Sequence, residues 1–290
     1  MLRLVKSNEP QTTLTKPVTI RGYGLTSGNI CAIICKPAGA GKGIKFLVGR
    51  LEIPALWKNF DEGELDHTTT LIRNKVRIKT VEHLLSALWG LDIDNATLEL
   101  EGGEVPLVDG SAQGYVAYLL AGGISKLPAK RTYIEIVRDV RFTMPGDDRW
   151  GLVTPAKSLS IESTSEFPNI LGKKTVTYIH SPSNYRRYIS WSRTFLRSPL
   201  DDKGEIWQDV RLKFPLLPKD PKKSPIIVYS NKEFITPLHS EDEPARHKVL
   251  DFIGDIAPLG YRIKGKFKLY KPGHRFTRKI VKELAIQADL

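Results

Sequence analysis

His247 and Asp251 stand four residues apart in Arg246-His-Lys-Val-Leu-Asp-Phe-Ile-Gly-Asp255, a stretch whose apolar residues recur at helical spacing. On a helix such a pair shares one face and can grip a common object. Imidazole nitrogen and carboxylate oxygen are both ordinary zinc ligands, and a pair at this spacing leaves further ligands to come from elsewhere. Asp255 lies one turn further along the same stripe. A solvated ion pair has the same spacing, so the pair alone does not define a metal site.

The other histidines are His67, His83, His180, His239 and His274. His83 follows Glu82 in the first turn of a helix opened by Thr80 as N-cap, and a helix N-terminus favours an anion nearby. The apolar positions of that helix (Val81, Leu84, Leu85, Leu88) leave Glu82 and His83 at an exposed start, where they could simply be solvated. His274 follows Pro272-Gly273, on a turn entering a helix; His67, His180 and His239 read as structural or solvent-facing. One arrangement uses these groups economically. His83, His247 and Asp251 make a three-ligand zinc site with an open position, Glu82 serves as base and His274 as acid.

The elements that must position these groups fall into two similar series. Short alternating runs broken by glycine occupy Thr12 to Phe60, followed by a helix from Thr80 to Gly90, a strand at Ala96–Leu100 and a helix over Ala112–Ala121. Ser125-Lys-Leu-Pro-Ala-Lys130 has linker composition. Strands follow at Tyr133–Val137, Ser158–Glu162 and Thr175–Ile179, then a proline-rich loop from Leu200 to Pro225 and a strand to Tyr229. The helix carrying His247 comes next, then an alternating basic strand around Arg262–Lys268 and a final amphipathic helix, Phe276–Ala285. Strands, helix, short strand, helix, stated twice, predict an α+β protein of two related layers.

The chain has 290 residues, enough for one or two domains with a sizeable core, and 41% hydrophobic with 26% charged residues is globular composition. No apolar run is long enough to span a bilayer, and the N-terminus turns polar too soon for a secretory signal, so the cytoplasm is the expected compartment. Cys31 and Cys35 share a strand face too far apart for a disulfide, which predicts free buried thiols. The net charge of +12 suits nucleic acid, an anionic membrane surface or a phosphate-rich substrate. The cations are dispersed, with no interleaved aromatics or reading helix, so no specific nucleic-acid partner is expected. Gly39-Ala-Gly-Lys42 lacks the spacing of a phosphate loop.

Several separate motifs, in order, resemble the UDP-3-O-acyl-N-acetylglucosamine deacetylase family of lipid A biosynthesis. They are Lys79-Thr-Val-Glu-His-Leu-Leu-Ser-Ala-Leu88, Gly90-Leu-Asp-Ile-Asp-Asn95, Glu104-Val-Pro-Leu-Val-Asp-Gly-Ser-Ala112, Arg193-Thr-Phe195, Arg246 to Asp255, and Tyr270-Lys-Pro-Gly-His274. The resemblance implies two α+β domains, residues 1–126 and 127–290, with helices between two sheets. It implies a zinc hydrolase, with ferrous iron as the alternative metal, held by His83, His247 and Asp251. Glu82 would activate water, His274 would steady the oxyanion and protonate the amine, and Asp255 would orient and charge that imidazole. Thr194 would polarise the acetamide carbonyl, Lys248 would meet substrate phosphate, and Phe195 falls to substrate binding.

The expected substrate is thus a UDP-linked acylated amino sugar, with weak membrane-surface association and a monomeric state as accompanying expectations. Two alternatives stay open: a deacetylase of another N-acetyl sugar nucleotide, and a non-enzymatic basic protein binding anionic lipid or nucleic acid. The chain departs from the family pattern at Gly24-Leu-Thr-Ser-Gly28, where a histidine usually follows Gly-Leu, and at Leu196-Arg197 in place of Gly-Phe. Residues 197–224, where the family places its acyl passage, match poorly.

Overall fold

Alternation of apolar and polar residues sets the strands. Leu159–Phe167 buries every second side chain along its whole length, and Arg262–Tyr270 turns Phe267 and Leu269 inward while Lys266 and Lys268 face water. A computed structural model describes the chain except for residues 1, 64–66, 168–169, 201–202 and 215–216 and the side chains of 203–204. The elements run β1 (Leu2–Leu14), β2 (Val18–Tyr23), β3 (Ile30–Pro37), β4 (Ile44–Val48), β5 (Leu51–Pro54), β6 (Leu71–Arg73), β7 (Val76–Ile78), α1 (Glu82–Gly90), β8 (Ala96–Glu101) and α2 (Gln113–Ala121). There follow β9 (Ile124–Ile136), β10 (Val140–Thr143), β11 (Trp150–Thr154), β12 (Leu159–Phe167), β13 (Gly172–Ile179), α3 (Pro182–Asn184), β14 (Phe195–Arg197), α4 (Lys203–Lys213), β15 (Ile227–Tyr229), α5 (Glu243–Ile256), β16 (Arg262–Tyr270) and α6 (His274–Gln287).

Two mixed sheets carry the fold, as an α+β chain should. The first has five strands in the order β2-β3-β8-β4-β5; the second has seven, built on the path β1-β9-β16-β11-β10 with β12 and β13 attached through β16. Helix α5 packs on α1 and on α6, α2 lies on β2, and α5 lies on β12 and β13. The apolar core fills the space around them, from Ile33 and Phe46 of one sheet to Ile161 and Phe267 of the other. Among the described residues no helix is long and apolar enough to cross a membrane. Cys31 and Cys35 are free and buried, as expected.

Three local expectations change. Ser125–Lys130 is no linker but the start of β9, paired with β1 through a register break that absorbs Pro10 and Pro128. Its outward positions are exposed, which explains the polar composition. The division expected at 126/127 therefore falls just inside β9, and β1 belongs to the second sheet. Residues 203–213, expected as loop, form α4; the prolines that suggested a loop (Pro215, Pro218, Pro221, Pro225) all follow it. Thr80 is not an N-cap either: it takes a left-handed backbone (φ 58°) and its hydroxyl donates to Glu104.

The crossing of α1 and α5 sets the geometry of everything below. A Cβ added at Gly254 would overlap the Glu82 carbonyl, so only glycine lets the two backbones meet there. Ser86 Oγ ties the same crossing by donating to the Leu250 carbonyl at 2.8 Å. Gly254→Val is expected to lower stability by about 3 kcal/mol, seen as an earlier midpoint in urea unfolding. An unchanged midpoint would show that the helices can separate freely.

Candidate active site

The first turn of α1 places Glu82 and His83 inside the protein, not at an exposed start: they are 3% and 2% accessible. The turn before it is held from below by Glu104, whose carboxylate accepts from Thr80 Oγ1 and from the Thr26 and Ser27 amides. Glu82 in turn accepts from the Thr68 hydroxyl at 3.0 Å and the Thr69 amide at 3.0 Å. Burial is the chief influence on this carboxyl and, against the His274 charge, pushes it up to about 7.

The crossing of α1 and α5 brings His83 against His247 and Asp251. His83 Nε2 and His247 Nε2 lie 3.7 and 3.1 Å from the same oxygen, Asp251 Oδ1, and all three ligand atoms lie within 4.8 Å of one another. Tetrahedral ligands with bonds near 2 Å stand about 3.3 Å apart, so the set has the span of a divalent metal site. Asp251 Oδ1 is buried without a hydrogen bond, an acceptor with no proton to accept among the described residues. His247 Nδ1 donates to the Ser192 carbonyl at 3.0 Å, which orients the ring with Nε2 toward the set. Burial is the chief influence on the His83 imidazole and pushes it down to about 3, so this ring is neutral with a lone pair to offer. Burial opposes the charge on Asp251, yet His247, Lys248 and His274 hold it well below the usual carboxylate range. Two imidazoles and one carboxylate fit a divalent ion.

His274 opens α6 and faces the set from the other side, with Nε2 3.8 Å from Asp251 Oδ2. Its Nδ1 lies 2.9 Å from Asp255 Oδ2. Burial favours the neutral ring, but Asp255 and then Asp251 outweigh it and raise the imidazole to about 9. Thr69 links both halves of this machinery. Its amide holds Glu82, and its hydroxyl donates to Asp255 Oδ1 at 2.6 Å. Arg278 secures the preceding residue by donating to the Thr68 carbonyl at 3.2 Å.

Phe195 packs edge-on to the His247 ring at 5.9 Å, and Lys248 Nζ sits 4.8 Å from the Phe195 ring centre while bonding Asp251 Oδ2. Thr194 is pinned between Gly110 and Ile227 by two backbone hydrogen bonds. A groove of about 410 Å³ opens beside Gly273 and carries Lys248, Lys271 and Arg149 against Asp147, Asp148 and Glu166. Beyond Phe195, α4, β14 and β15 build a second, smaller apolar cluster around Ile206, Trp207 and Val228. Of residues 213–218, 215–216 lie outside the described residues, and Leu217 is buried in that cluster. Of the histidines read as structural, His180 is bonded to Asp92 at 3.0 Å, while His67 is exposed and His239 sits beside Glu243.

Sequence reading missed Thr68, Thr69 and Glu104, and in the groove Lys271 and Arg149. A run of three threonines reads as strand, and nothing in its spacing announces that it walls a site. A buried His-His-Asp set, with a carboxyl beside one ligand and a carboxylate-held histidine opposite, is the layout of a metal-dependent hydrolase. Residues 11–286 match the family model described as UDP-3-O-acyl N-acetylglycosamine deacetylase. The chain is 35% identical to the UDP-3-O-acyl-N-acetylglucosamine deacetylase of Hahella chejuensis, over 96% of this chain and 91% of that protein. It is 33% identical to the proteins of the same name from Myxococcus xanthus and Pseudomonas entomophila, over 96% of this chain and 87% and 91% of theirs. The chain belongs to this deacetylase family.

Proposed function

We propose that this chain hydrolyses the acetamide of UDP-3-O-acyl-N-acetylglucosamine and releases acetate, a step of lipid A biosynthesis, using zinc held by His83, His247 and Asp251. The observation that carries the reading is the convergence of the three ligand atoms with Glu82 on one flank and the Asp255-held His274 on the other. An amide is a weak electrophile with a poor leaving group, so it needs both activation of the carbonyl and a proton donor. When bound, the ion supplies Lewis-acid polarisation and makes water a nucleophile at neutral pH.

The chain's own residues do the rest. Glu82, held by Thr68 and Thr69, takes the proton as the water oxygen bonds to the carbonyl carbon. His274 steadies the charge that develops on the carbonyl oxygen and then gives its Nε2 proton to the amine as the C–N bond breaks; Asp255 keeps the ring oriented. Thr194 supplies a further polarising contact to the carbonyl. Phe195 packs against the substrate, and Lys248 meets its diphosphate, with Lys271 and Arg149 further along the groove. The N-terminal unit to residue 126 contributes the Val-Glu-His motif; the unit from 127 contributes His247, Asp251 and Pro-Gly-His, and borrows β1. The cytoplasm is the proposed compartment, in keeping with two free thiols.

Acetate release from acylated and non-acylated UDP-N-acetylglucosamine, measured side by side with metal content, tests the reading. Zinc near one per chain and release from the acylated substrate alone are expected. Equal release from both would make the substrate a different N-acetyl sugar nucleotide, and no release from zinc-loaded protein would overturn the deacetylase reading.

A further inference from the structure

Ser192, Arg193, Thr194 and Phe195 run past α5, and two of the four touch the metal set. The Ser192 carbonyl accepts from His247 Nδ1, and the Phe195 ring lies edge-on to the same imidazole. Thr194 stands between them, yet its own anchors are backbone bonds to Gly110 and Ile227, neither of them on α5. What ties this segment to the helix beside His247 is Arg193, a residue to which the proposed chemistry gives no task.

Arg193 meets Glu243, the first residue of α5, one helical turn before His247 and on the same face. Its Nε and Nη2 donate to Oε1 and Oε2 at 2.8 and 3.0 Å, and its own amide donates to Oε1 at 3.1 Å. The guanidinium also donates to the Ser224 and Pro237 carbonyls, at 3.3 and 2.8 Å, and Glu243 takes the His239 amide at 2.6 Å. Both partners are buried, Glu243 fully and Arg193 at 6% accessible.

A buried ion pair is often no more stabilising than an apolar pair of the same volume. What a two-pronged arginine–carboxylate contact adds is a fixed distance and a fixed direction. Successive turns of α5 thus hold the segment at two points: Glu243 at Arg193, and His247 at the Ser192 carbonyl.

We propose that Arg193 and Glu243 are positioning residues for the reaction, setting the register between the helix that carries His247 and Asp251 and the chain entering β14 with Thr194. The proposal rests on the deacetylase reading for the task of Thr194 at the acetamide carbonyl. A displacement of about 1 Å in such a group can cost about 100-fold in rate, and the pair acts by preventing it.

Arg193→Lys keeps the charge and removes the fork, so it tests direction and not charge compensation. In zinc-loaded protein acting on the acylated UDP-sugar, kcat per folded molecule should fall about 10- to 100-fold. The same substitution in a Thr194→Val background should lower kcat by less than about threefold, because a pair that acts through Thr194 then has nothing left to place. Losses that multiply, or parent-like kcat in the folded variant, would overturn the proposal. Arg131→Lys controls for stability alone: Arg131 is as buried, pairs with Asp94 beyond the far end of α1, and should leave kcat at the parent level. A loss there equal to that of Arg193→Lys would also overturn it. Should Arg193→Lys fail to fold, Glu243→Gln breaks the pair from the other side and carries the same expectations. Chelator competition reads the register without turnover. The Ser192 carbonyl orients His247, so Arg193→Lys should hold zinc about tenfold more weakly than the parent, and parent-like affinity would sink the proposal. If the parent itself releases no acetate, the deacetylase reading fails while the zinc measurement still decides the role of the pair.

Discussion

Asp251→Ala protein is expected to emerge without stoichiometric metal and without acetate release. Asp251 Oδ1 is the oxygen both histidines approach, so its loss leaves two imidazoles and no anionic ligand. Removing a group that merely supports a ligand already lowers metal affinity about 10- to 100-fold, and removing a ligand costs more. The fold should survive, because the α1–α5 crossing rests on Gly254 and on the Ser86–Leu250 bond rather than on the carboxylate. Elemental analysis after dialysis against a weak chelator, beside a circular dichroism melt, checks both halves. Stoichiometric zinc in the folded variant would sink the ligand assignment.

Glu82→Gln should separate chemistry from metal binding. The amide oxygen can still accept from the Thr69 N–H, and Thr68 can turn its hydroxyl to accept from the new NH2 group, so the buried position stays satisfied. A neutral amide takes no proton from water. General-base assistance is worth about 10²- to 10⁴-fold, or roughly 3–5 kcal/mol of barrier. The expected result is zinc at the parent level with kcat reduced by that factor and KM little changed. Parent-like turnover would mean that another group is the base.

The site was legible in the sequence wherever one element carries two of its members. His247, Asp251 and Asp255 lie on successive turns of α5, and the helical repeat alone puts them on a common stripe. Glu82 and His83 were legible as residues but not as buried ones, because their concealment comes from α5 crossing at Gly254. Thr69 was invisible for a similar reason. It reaches Asp255 across 186 residues of sequence, and no local pattern encodes that closure. In the fold, the strands of the second sheet showed through alternation, as in β12 and β16. The start of β9 did not, because its exposed positions and Pro128 mimic a linker. α4 was hidden by prolines that lie after it. Residues 203–213 also have little helical amphipathicity to announce them, with Leu212 turned to water.

The place of β16 has a consequence for how the protein is made. This strand pairs with β9 over 262–264, with β12 over 265–270 and with β11 over 266–270, so it is the keystone of a sheet whose other strands precede it on the chain. A nascent chain leaving the ribosome therefore holds β1, β9, β11 and β12 with the middle of their sheet still missing. Chains are extended at about 5–20 residues per second, and a pairing between residues as distant in sequence as Tyr133 and Arg262 is slow to find. The keystone is flanked in sequence by Asp251 on one side and His274 on the other. The middle of the second sheet and the acid His274 are thus added after every metal ligand, and a growing polypeptide that ends before Arg262 has neither of the two.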